Sequence, residues 1–374
     1  MSGIIQGLLA SLVGGAKYKL YAWGRNNQGQ LGDDSIISRS SPVQIGSDTD
    51  WGERAGGGDY NSAFIKGDKS LWSWGDSYRG SVGDGEQVDR SSPVQIGALL
   101  DWEGVKVGDR NASAVRSNGT MWTWGLSLWG KLGQNDQVSR SSPTQVGALT
   151  TWAQVGGGRN HCIALKSDGT VWTWGRNTSG QLGDLSTTFR SSPVQVGVAT
   201  DWSFVAGGGA HNLAIKTNGT IWAWGDNYAG QCGKTGGSGV DISSPVQVGY
   251  ASDWSFVNAG GYSSFATTSS GALYSWGRNG NGELGLNNLT NRSVTTQIGA
   301  LTTWVTSYGI SSGAKHSLAT TTDDTLWVWG NNYHGQLGTN DRTYRSSPVQ
   351  IGIFAHDWAF AFAGHYHSFA TDKS

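Results

Sequence analysis

The dipeptide Trp-Gly recurs along this 374-residue chain at intervals of 51, 50, 50, 50, 52 and 53 residues. A tandem unit of about 50 residues is typical of stacked or circular repeat proteins, because one unit alone cannot bury its apolar face. This repeat excludes most folds before any other feature is considered. The tryptophans that define it are Trp23, Trp74, Trp124, Trp174, Trp224, Trp276 and Trp329.

Two further tryptophan series and all the prolines keep the same period. The chain has 20 tryptophans, and only Trp129 stands outside the three series. All 6 prolines occupy one slot of the unit, and Thr295 takes that slot in the sixth unit. The tryptophan content is therefore mainly structural. The second series is Trp51, Trp102, Trp152, Trp202, Trp254, Trp304 and Trp358; the third is Trp72, Trp122, Trp172, Trp222 and Trp327, with Tyr21 and Tyr274 in the other two units.

One unit, residues 152–197, has the pattern of four short antiparallel strands. Ser-Asp-Gly at 167–169 predicts a tight turn. Trp172 and Trp174 are two residues apart, so they lie on the same face of a predicted strand. No helical pattern separates the strands, so a parallel α/β fold is not expected. Four-stranded units repeated seven times predict an all-β, seven-bladed β-propeller. The predicted strands of this unit are 152–158, 161–166, 170–174 and 193–196.

The two ends of the chain carry complementary parts of one unit. The repeat begins with a third strand at 19–23 and finishes with a first strand at 360–364 and a second at 367–371. We expect these N- and C-terminal strands to share one blade, which would close the ring and leave no free sheet edge there. The predicted propeller domain spans residues 17–374.

Composition excludes several functions. A net charge of −1 gives no strong attraction to phosphate backbones, so no nucleic-acid partner is expected. No apolar run reaches the ~20 residues of a membrane helix, so no membrane span is expected. Cys162 and Cys232 cannot form a disulfide framework. Glycine-rich stretches such as 56–58 and 207–209 lack the lysine of a phosphate-binding loop, so we expect no cofactor.

The pattern Gly-Gly-x-x-His-x-x-Ala-Leu followed by Trp-x-Trp-Gly and Gly-Gln-Leu-Gly is plain at residues 157–183. It closely resembles the repeat of the regulator of chromosome condensation family, and the resemblance covers residues 17–374. It implies a seven-bladed β-propeller. Family members act as guanine nucleotide exchange factors, ultraviolet photoreceptors, inhibitors of β-lactamase and general interaction modules. Most of these roles consist of binding another macromolecule with one face of the propeller.

Each specific function in the family requires sequence features, and this sequence can be searched for them. The resemblance implies that a photoreceptor would carry tryptophans two residues before the repeat histidine. An exchange factor would carry a wedge loop and usually a basic tail, and neither is visible. A secreted inhibitor would carry a signal peptide, and no convincing one is present. The positions that the photoreceptor would fill with tryptophan are Asp59, Asp109, Arg159, Gly209, Gly261, Ala314 and His365.

Three periodic sets of polar residues are expected to be structural. We expect the repeat histidines to bond local backbone, the aspartates before the second-series tryptophans to cap turns, and the arginines before Ser-Ser-Pro to lie between blades. No metal site is expected, because the ring holds equivalent positions apart. The sets are His161, His211, His316 and His367; Asp50, Asp101, Asp201, Asp253 and Asp357; and Arg39, Arg90, Arg140, Arg190, Arg292 and Arg345.

Residues at positions that vary between repeat units are the candidates for binding a partner. Two positions after each Trp-Gly vary freely, and their equivalence predicts that they share one face of the ring. Tyrosine, tryptophan and arginine anchor many protein interfaces, and Trp129 is the best single candidate. Packing against neighbouring blades is the alternative explanation for these side chains. The predicted binding residues are Tyr78, Arg79, Leu128, Trp129, Tyr228, Tyr333 and His334.

Residues 1–16 precede the propeller and carry an apolar stripe with helical spacing. We expect a short amphipathic helix that ends at Gly14 and Gly15 and anchors the protein to a partner or an assembly. Packing on its own propeller is the alternative. The predicted anchor residues are Ile4, Ile5, Leu8, Leu9, Leu12 and Val13.

These observations together predict a non-enzymatic protein-binding or structural module. Low charge and loops rich in Ser, Asn, Gly and Thr favour a phage or virion surface, fibre or decoration protein. Its partner would be a virion scaffold or a cell-surface molecule, and an oligomer or larger assembly is compatible with this reading. The alternative is an exchange-factor-like or enzyme-inhibitor propeller that acts on a cellular protein. The location, virion or cytoplasm, stays open at this point.

Overall fold

The computed structural model describes residues 18–234, 239–352 and 357–373. These residues form seven antiparallel sheets of four strands each. The first strand of every blade contacts the first strand of the next, and the last of these contacts returns to the start. The expected all-β, seven-bladed propeller is confirmed. The predicted anchor helix at residues 1–16 lies outside the described residues.

The strands are named here in chain order, and blade 1 combines the first two with the last two. Blade 1 begins with β1 (Lys19–Gly24) and β2 (Arg39–Gln44). Blade 2 contains β3 (Trp51–Gly57), β4 (Asn61–Lys66), β5 (Leu71–Gly75) and β6 (Arg90–Gln95). Blade 3 contains β7 (Trp102–Val107), β8 (Asn111–Arg116), β9 (Met121–Gly125) and β10 (Arg140–Gln145). Blade 4 contains β11 (Trp152–Val155), β12 (His161–Lys166), β13 (Val171–Gly175) and β14 (Arg190–Gln195).

The remaining blades follow the same order. Blade 5 contains β15 (Trp202–Gly207), β16 (His211–Lys216), β17 (Ile221–Gly225) and β18 (Ile242–Gln247). Blade 6 contains β19 (Trp254–Ala259), β20 (Ser263–Thr268), β21 (Leu273–Gly277) and β22 (Arg292–Gln297). Blade 7 contains β23 (Ile310–Ser312), β24 (His316–Thr320), β25 (Leu326–Gly330) and β26 (Arg345–Gln350). The chain returns to blade 1 with β27 (Trp358–Ala363) and β28 (His367–Asp372).

The described residues include no α-helix, only two 3₁₀ turns at Tyr78–Gly80 and Leu128–Gly130. They therefore contain no helix long and apolar enough to cross a membrane. Two predicted strands needed correction. β11 ends at Val155 rather than at 158, and β14 begins at Arg190 rather than at 193. Gly157 adopts a positive φ of 25°, which takes the chain out of the extended conformation.

The ring closes where the sequence predicts. β1 lies between β2 and β28, so the order of blade 1 is β2-β1-β28-β27. Six residue pairs join β1 to β28 without a bulge, from Lys19 opposite Asp372 to Gly24 opposite His367. Pairing of the two chain ends gives blade 1 the same four strands as the other six blades.

The Trp-Gly tryptophans connect each blade to the one before it. The Trp224 indole N–H of blade 5 donates to the Gln181 carbonyl of blade 4 at 3.1 Å, and Trp23 of blade 1 donates to the Gln336 carbonyl of blade 7 at 2.9 Å. All seven members of the series make such a bond. The tryptophan repeat therefore supplies one regular contact between consecutive blades.

The four repeat histidines bond across blades, so the expectation of local backbone bonds is wrong. His211 Nε2 lies 2.9 Å from Ser264 Oγ of the next blade. Ser264 donates its own hydrogen to the Gln231 carbonyl, so the histidine N–H is the donor. His316 and His367 bond Ser368 and Ser62 in the same way, and His161 bonds Asn212.

The periodic charges also differ from expectation. Asp101 binds Arg116 at the end of β8 with two hydrogen bonds of 2.8 Å rather than capping a turn. Arg190 binds Asp184 in the loop of its own blade rather than lying between blades. Arg39, Arg90, Arg140 and Arg345 make the same kind of pair with Asp33, Asp84, Asp136 and Asp341. The ion pairs of Asp101 and of these five arginines therefore lie within single blades.

Candidate interaction face

One face of the ring carries the connections from first to second strands and from third to fourth strands. In blade 2 these are residues 58–60 and 76–89. We call it the loop face. The residue after each Trp-Gly donates its backbone N–H to the carbonyl of the residue before the repeat histidine slot, for example Arg25 to Tyr366 and Asp76 to Tyr60. Two rings of side chains therefore lie next to each other on this face.

Arginine and aromatic side chains from blades 7, 1, 2 and 3 form a continuous row on the loop face. The Arg25 guanidinium lies 5.3 Å from the Tyr60 ring and 5.7 Å from the Tyr366 ring. The Arg110 guanidinium lies 4.6 Å from the Tyr60 ring and 4.9 Å from the Tyr78 ring. His334 extends the row, with its ring 5.4 Å from Tyr366. We call His334, Tyr366, Arg25, Tyr60, Arg110 and Tyr78 the arginine–tyrosine strip.

The two arginines of the strip differ in their partners. Arg110 Nε donates to the buried carboxylate of Asp76 at 2.6 Å. Burial lowers the pKa of Arg110, but the hydrogen bond and charge of Asp76 outweigh it, so the pKa is raised. Arg25 donates to Asn27 Oδ1 at 2.7 Å, and no described carboxylate pairs with it. The charge of Arg25 is thus free to meet an acidic group of a partner.

The predicted binding residues occupy different parts of the loop face. Tyr78 and His334 belong to the strip, while Arg79 and Tyr333 lie at its ends, where the Arg79 guanidinium is 5.4 Å from the Tyr78 ring and the Tyr333 ring is 4.9 Å from His334. Tyr228 stands apart in blade 5 and is 81% exposed. Leu128 is exposed in blade 3. Four of the seven therefore lie in the strip or at its ends, as one pair in blade 2 and one pair in blade 7.

Trp129 is partly covered by blade 4. Its ring makes an edge contact with Phe189 at 6.2 Å, and the Arg176 guanidinium lies 5.0 Å above it. Trp129 also has a positive φ of 63°, within the 3₁₀ turn at Leu128–Gly130. These contacts agree with the packing explanation and leave part of the ring accessible, so binding by Trp129 stays a prediction.

A trio of interacting polar side chains lies at the mouth of the central channel on the loop face. Asp59 of blade 2 binds Arg159 of blade 4 at 2.8 Å and His365 Nδ1 of blade 1 at 2.8 Å. Burial raises the pKa of Asp59, but the bond and charge of His365 and the charge of Arg159 outweigh it and lower the pKa overall. Asp59 is thereby held as a carboxylate and ties three blades together.

Lys131 is buried beneath this trio, in the slot where most blades have glutamine. Its ammonium group donates to the Asp109 carbonyl, and Asn160 Oδ1 lies 3.4 Å from it. Burial lowers the pKa of Lys131 to about 8, although Asp109 and Asp59 act in the opposite direction. Because backbone and amide oxygens hold the amine, we assign it a structural role.

Within residues 18–234, 239–352 and 357–373, no group of three His, Cys, Asp or Glu side chains is placed to hold a metal. His367 is directed into the contact with Ser62, whereas His365 is directed to Asp59. The two side chains do not converge on one ion.

Sequence reasoning missed Arg25, Tyr60, Arg110 and Tyr366. Tyr78 was chosen because its position in the repeat unit varies from one unit to the next. Two other positions of the repeat unit vary in the same way. The residue after Trp-Gly varies among Arg, Asp, Leu and Asn, and the residue before the histidine slot varies among Tyr, Arg, Asn, Ala and Lys. Inspection of these two slots would have identified all four residues.

Comparisons with known proteins give consistent results. A model of the RCC1-like domain matches residues 130–370, and one of the regulator of chromosome condensation (RCC1) repeat matches residues 19–64. The mitochondrial RCC1 domain-containing protein RUG3 of Arabidopsis thaliana is 36% identical over 102 residues, which cover 27% of this chain and 23% of that protein. The probable E3 ubiquitin-protein ligase HERC4 of Homo sapiens is 37% identical over 95 residues, 25% of this chain and 9% of that protein. The matches therefore span less than a quarter of each relative.

Solved structures share the fold over nearly the whole chain. Prp20p of Saccharomyces cerevisiae, described with its binding properties to Gsp1p and histones, has a TM-score of 0.86 at 19% identity and covers 100% of this chain and 96% of its own. Human WBSCR16 has a TM-score of 0.84 at 20% identity, with coverage of 96% and 99%. At these identities the likeness concerns the fold alone.

Proposed function

Because the chain belongs to the RCC1-like domain family, we propose that it binds another protein through its loop face. The arginine–tyrosine strip is the observation that carries this proposal. Tyrosine and arginine are enriched at the centres of protein interfaces. Stacking between Tyr60 and its two neighbouring arginines holds these side chains in place, which lowers the entropy lost on binding.

The partner surface that suits the strip is acidic or rich in carbonyl groups. Arg25 has no carboxylate partner among the described residues, and its planar guanidinium can bond a carboxylate with two parallel hydrogen bonds. Arg176 on blade 4 is in a similar position, since its Nε donates to Thr178 at 3.0 Å and it pairs with no carboxylate among the described residues. The low net charge of the whole chain thus conceals a local concentration of arginine.

A role on a cellular protein fits the comparisons better than the virion, fibre or host-attachment role expected from composition. The relatives carry the names of cellular proteins, and nothing in the comparisons supports a virion role. We therefore place the exchange-factor-like or inhibitor-like alternative first. HERC4 is named as a ligase, but the match covers only 9% of it, so we propose no catalytic activity for this chain.

Capture with matched variants tests the use of the loop face. The immobilised wild-type chain, the double variant Arg25→Ala/Tyr78→Ala and the control Tyr250→Ala would be compared in an extract of the source cells. Tyr250 is 100% exposed on the opposite face. We expect a protein retained by the wild type and by Tyr250→Ala to be lost from the double variant. Equal retention by all three chains would contradict the proposal.

Nucleotide release tests the exchange-factor-like role. Small GTPases of the source organism, loaded with a fluorescent GDP analogue, would be mixed with the same three chains. We expect faster release from one GTPase with the wild type and with Tyr250→Ala, but not with the double variant. If no GTPase responds, the exchange role is rejected, while the capture experiment still decides whether the loop face binds a protein.

A further inference from the structure

The central channel contains a cavity of about 320 Å³ beneath the loop face. Each of the seven blades contributes one residue to a ring that lines this cavity. In blade 2 this residue lies two positions before Gly58, and in every other blade it lies two positions before the equivalent glycine. Three members are small, three are polar and one is aromatic. In blade order from 2 to 7 and then 1 they are Gly56, Lys106, Gly156, Ala206, Asn258, Ser311 and Phe362.

Lys106 is the cation of this ring. Its two neighbours in the ring, Gly56 and Gly156, have no side chains, and a Cβ on Gly56 would lie only 3.0 Å from Lys106 Cα. A Cβ placed on Gly157 would lie 2.6 Å from Lys106 Cβ, which shows how closely the backbone of blade 4 supports this stem. Lys106 forms no ion pair and no side-chain hydrogen bond with any described residue. A channel-facing ammonium group without an anionic partner is costly unless something compensates it.

The other polar members of the ring, Asn258 and Ser311, lie on the far side of the channel, each three blades away from Lys106 around the ring. Asn258 Oδ1 is buried and has no hydrogen-bond partner among the described residues. Ser311 Oγ already accepts the Ala363 N–H at 2.9 Å. An amine and an amide therefore face a common space from opposite walls, as in ligand sites where a few polar groups orient a molecule.

Aromatic rings line the channel on the side of blades 5, 6 and 7. Phe204 and Phe256 have ring centroids 5.0 Å apart, and Tyr308 lies 5.2 Å from Phe256. The Arg54 guanidinium stacks 4.5 Å from the Tyr308 ring. The cavity lining thus combines the Lys106 amine with a cluster of flat apolar surfaces.

Carboxylates do not neutralise this part of the channel. The carboxylates that line the cavity are Asp59 and Asp226. Asp59 is already held by Arg159 and His365 at the mouth, and Asp226 accepts the Tyr228 backbone N–H at 2.9 Å on the loop face. Within the part of the chain that the structure describes, Arg54 has one carboxylate contact, with Glu53 at 3.6 Å.

We propose that the central channel binds one small organic anion that carries an aromatic ring. The Lys106 amine contacts the anionic group, Asn258 bonds a polar atom of the ligand, and the ring lies against Phe204 and Tyr308. The cavity volume is at the lower end of the range for small-molecule sites, roughly 300–1,000 Å³. The site is separate from the arginine–tyrosine strip and does not depend on the protein-binding proposal.

The pKa of Lys106 should make anion binding at this site depend on pH. Burial, and then the charge of Arg54, lower the pKa of Lys106 to about 8. The unliganded lysine therefore loses its charge at moderately alkaline pH. An anion whose own charge stays constant should bind more weakly as the pH rises through this range.

Calorimetric titration with three probes tests the proposal. Benzenesulfonate supplies a permanent charge and a ring, sulfate supplies charge alone, and benzyl alcohol supplies a ring alone. We expect one benzenesulfonate per chain, bound more tightly than either other probe and more weakly at pH 9.5 than at pH 7. Absence of benzenesulfonate binding, or equal binding of benzyl alcohol, would overturn the proposal.

Two substitutions of Lys106 separate charge from structure. Lys106→Met should weaken benzenesulfonate binding at least about tenfold, as expected for loss of a charged hydrogen bond. Lys106→Arg should retain binding at pH 7 but lose its pH dependence, because arginine does not titrate in this range. The control is Lys315→Met, on the loop face outside the cavity lining, which should leave binding unchanged. Wild-type affinity or wild-type pH dependence in both Lys106 variants would contradict the site.

Discussion

Some of the repeated residues in this propeller act between blades, and others act within one blade. The Trp224 indole fills the contact between blades 4 and 5, and its N–H reaches a carbonyl 43 residues earlier in the chain. Trp222, two residues before it, bonds Thr220 of the same strand region. Two tryptophans in one strand thus have different tasks, although the period of two places both on the same face.

Replacement of these tryptophans by phenylalanine should show the difference. Trp224→Phe removes the bond to Gln181 and leaves a gap between blades, so we expect a loss of about 2–3 kcal/mol in the free energy of unfolding. Trp222→Phe removes a local bond at a half-buried site and should cost less than about 1.5 kcal/mol. Urea denaturation measures both values. Equal costs would show that the contact between blades is not special.

The buried histidines should make stability depend on pH. Burial lowers the pKa of His211 to about 3, whereas an unfolded histidine titrates near pH 6.5. Between these values the unfolded chain binds more protons, so stability is fully present above pH ~6.5 and falls as the pH drops towards ~3. His161, His316 and His367 behave in the same direction, with pKa values lowered by burial to about 4, 3 and 3.

His211→Asn isolates one of these contributions. Asparagine occupies the equivalent slot at positions 61 and 111, so the variant should fold. We expect the free energy of unfolding to fall less steeply below pH 6 than in the wild type, by roughly 1 kcal/mol per pH unit. Chemical denaturation at pH 7.5, 6 and 5 provides the measurement, and parallel curves for the two chains would refute the assignment.

At the scale of elements, the loop between the third and fourth strands is shaped to fit the next blade. Gly133 closes the Lys-Leu-Gly sequence of blade 3 with a φ of 72°, and a Cβ there would lie 2.8 Å from the Trp174 indole nitrogen. Glycines in the same slot of the other six blades meet the next blade's tryptophan in the same way. Glycine here serves both the turn and the contact between blades.

Two glycines of blade 3 separate backbone strain from crowding. Gly133→Ala should cost about 1–2 kcal/mol for the left-handed conformation and about 1–3 kcal/mol more for the clash with Trp174. Gly147 has a φ of 58° with nothing within 4 Å of a Cβ, so Gly147→Ala should show the first cost alone. Thermal and urea unfolding of both variants separate the cost of the left-handed conformation from the cost of the clash with Trp174. If Gly147→Ala is the more destabilised chain, the loop does not support the next blade as described.

At the scale of the whole molecule, stability depends on closure of the ring. Blade 1 takes β1 and β2 from the start of the chain and β27 and β28 from its end, and β1 lies between β2 and β28. The core of this region is shared in the same way, since Phe369 packs with Phe64 and Trp74 of blade 2. Blade 1 therefore cannot form without β27 and β28 from the C-terminal part of the chain.

Truncation tests this dependence. Removal of residues 353–374 would delete half of blade 1 and expose an edge of β1 together with its apolar contacts. We expect loss of the cooperative thermal transition and of near-ultraviolet circular dichroism. Removal of residues 373–374 alone breaks the exposed Lys373–Asp324 pair and should cost less than about 1 kcal/mol. A cooperative transition in the longer truncation would show that six blades are stable alone.

The sequence by itself determined the fold, the number of blades and the shared blade, because a period of 50 to 53 residues and a regular alternation are local patterns. It also identified Tyr78 and His334 as residues outside the repeat. Only the tertiary structure decided which side chains meet: Asp59 with Arg159, 100 residues apart, Arg25 with Tyr60 and Tyr366, and Lys106 with the open space of the channel. Such neighbours are set by the radius and closure of the ring, which place residues of different blades side by side independently of their spacing in the chain.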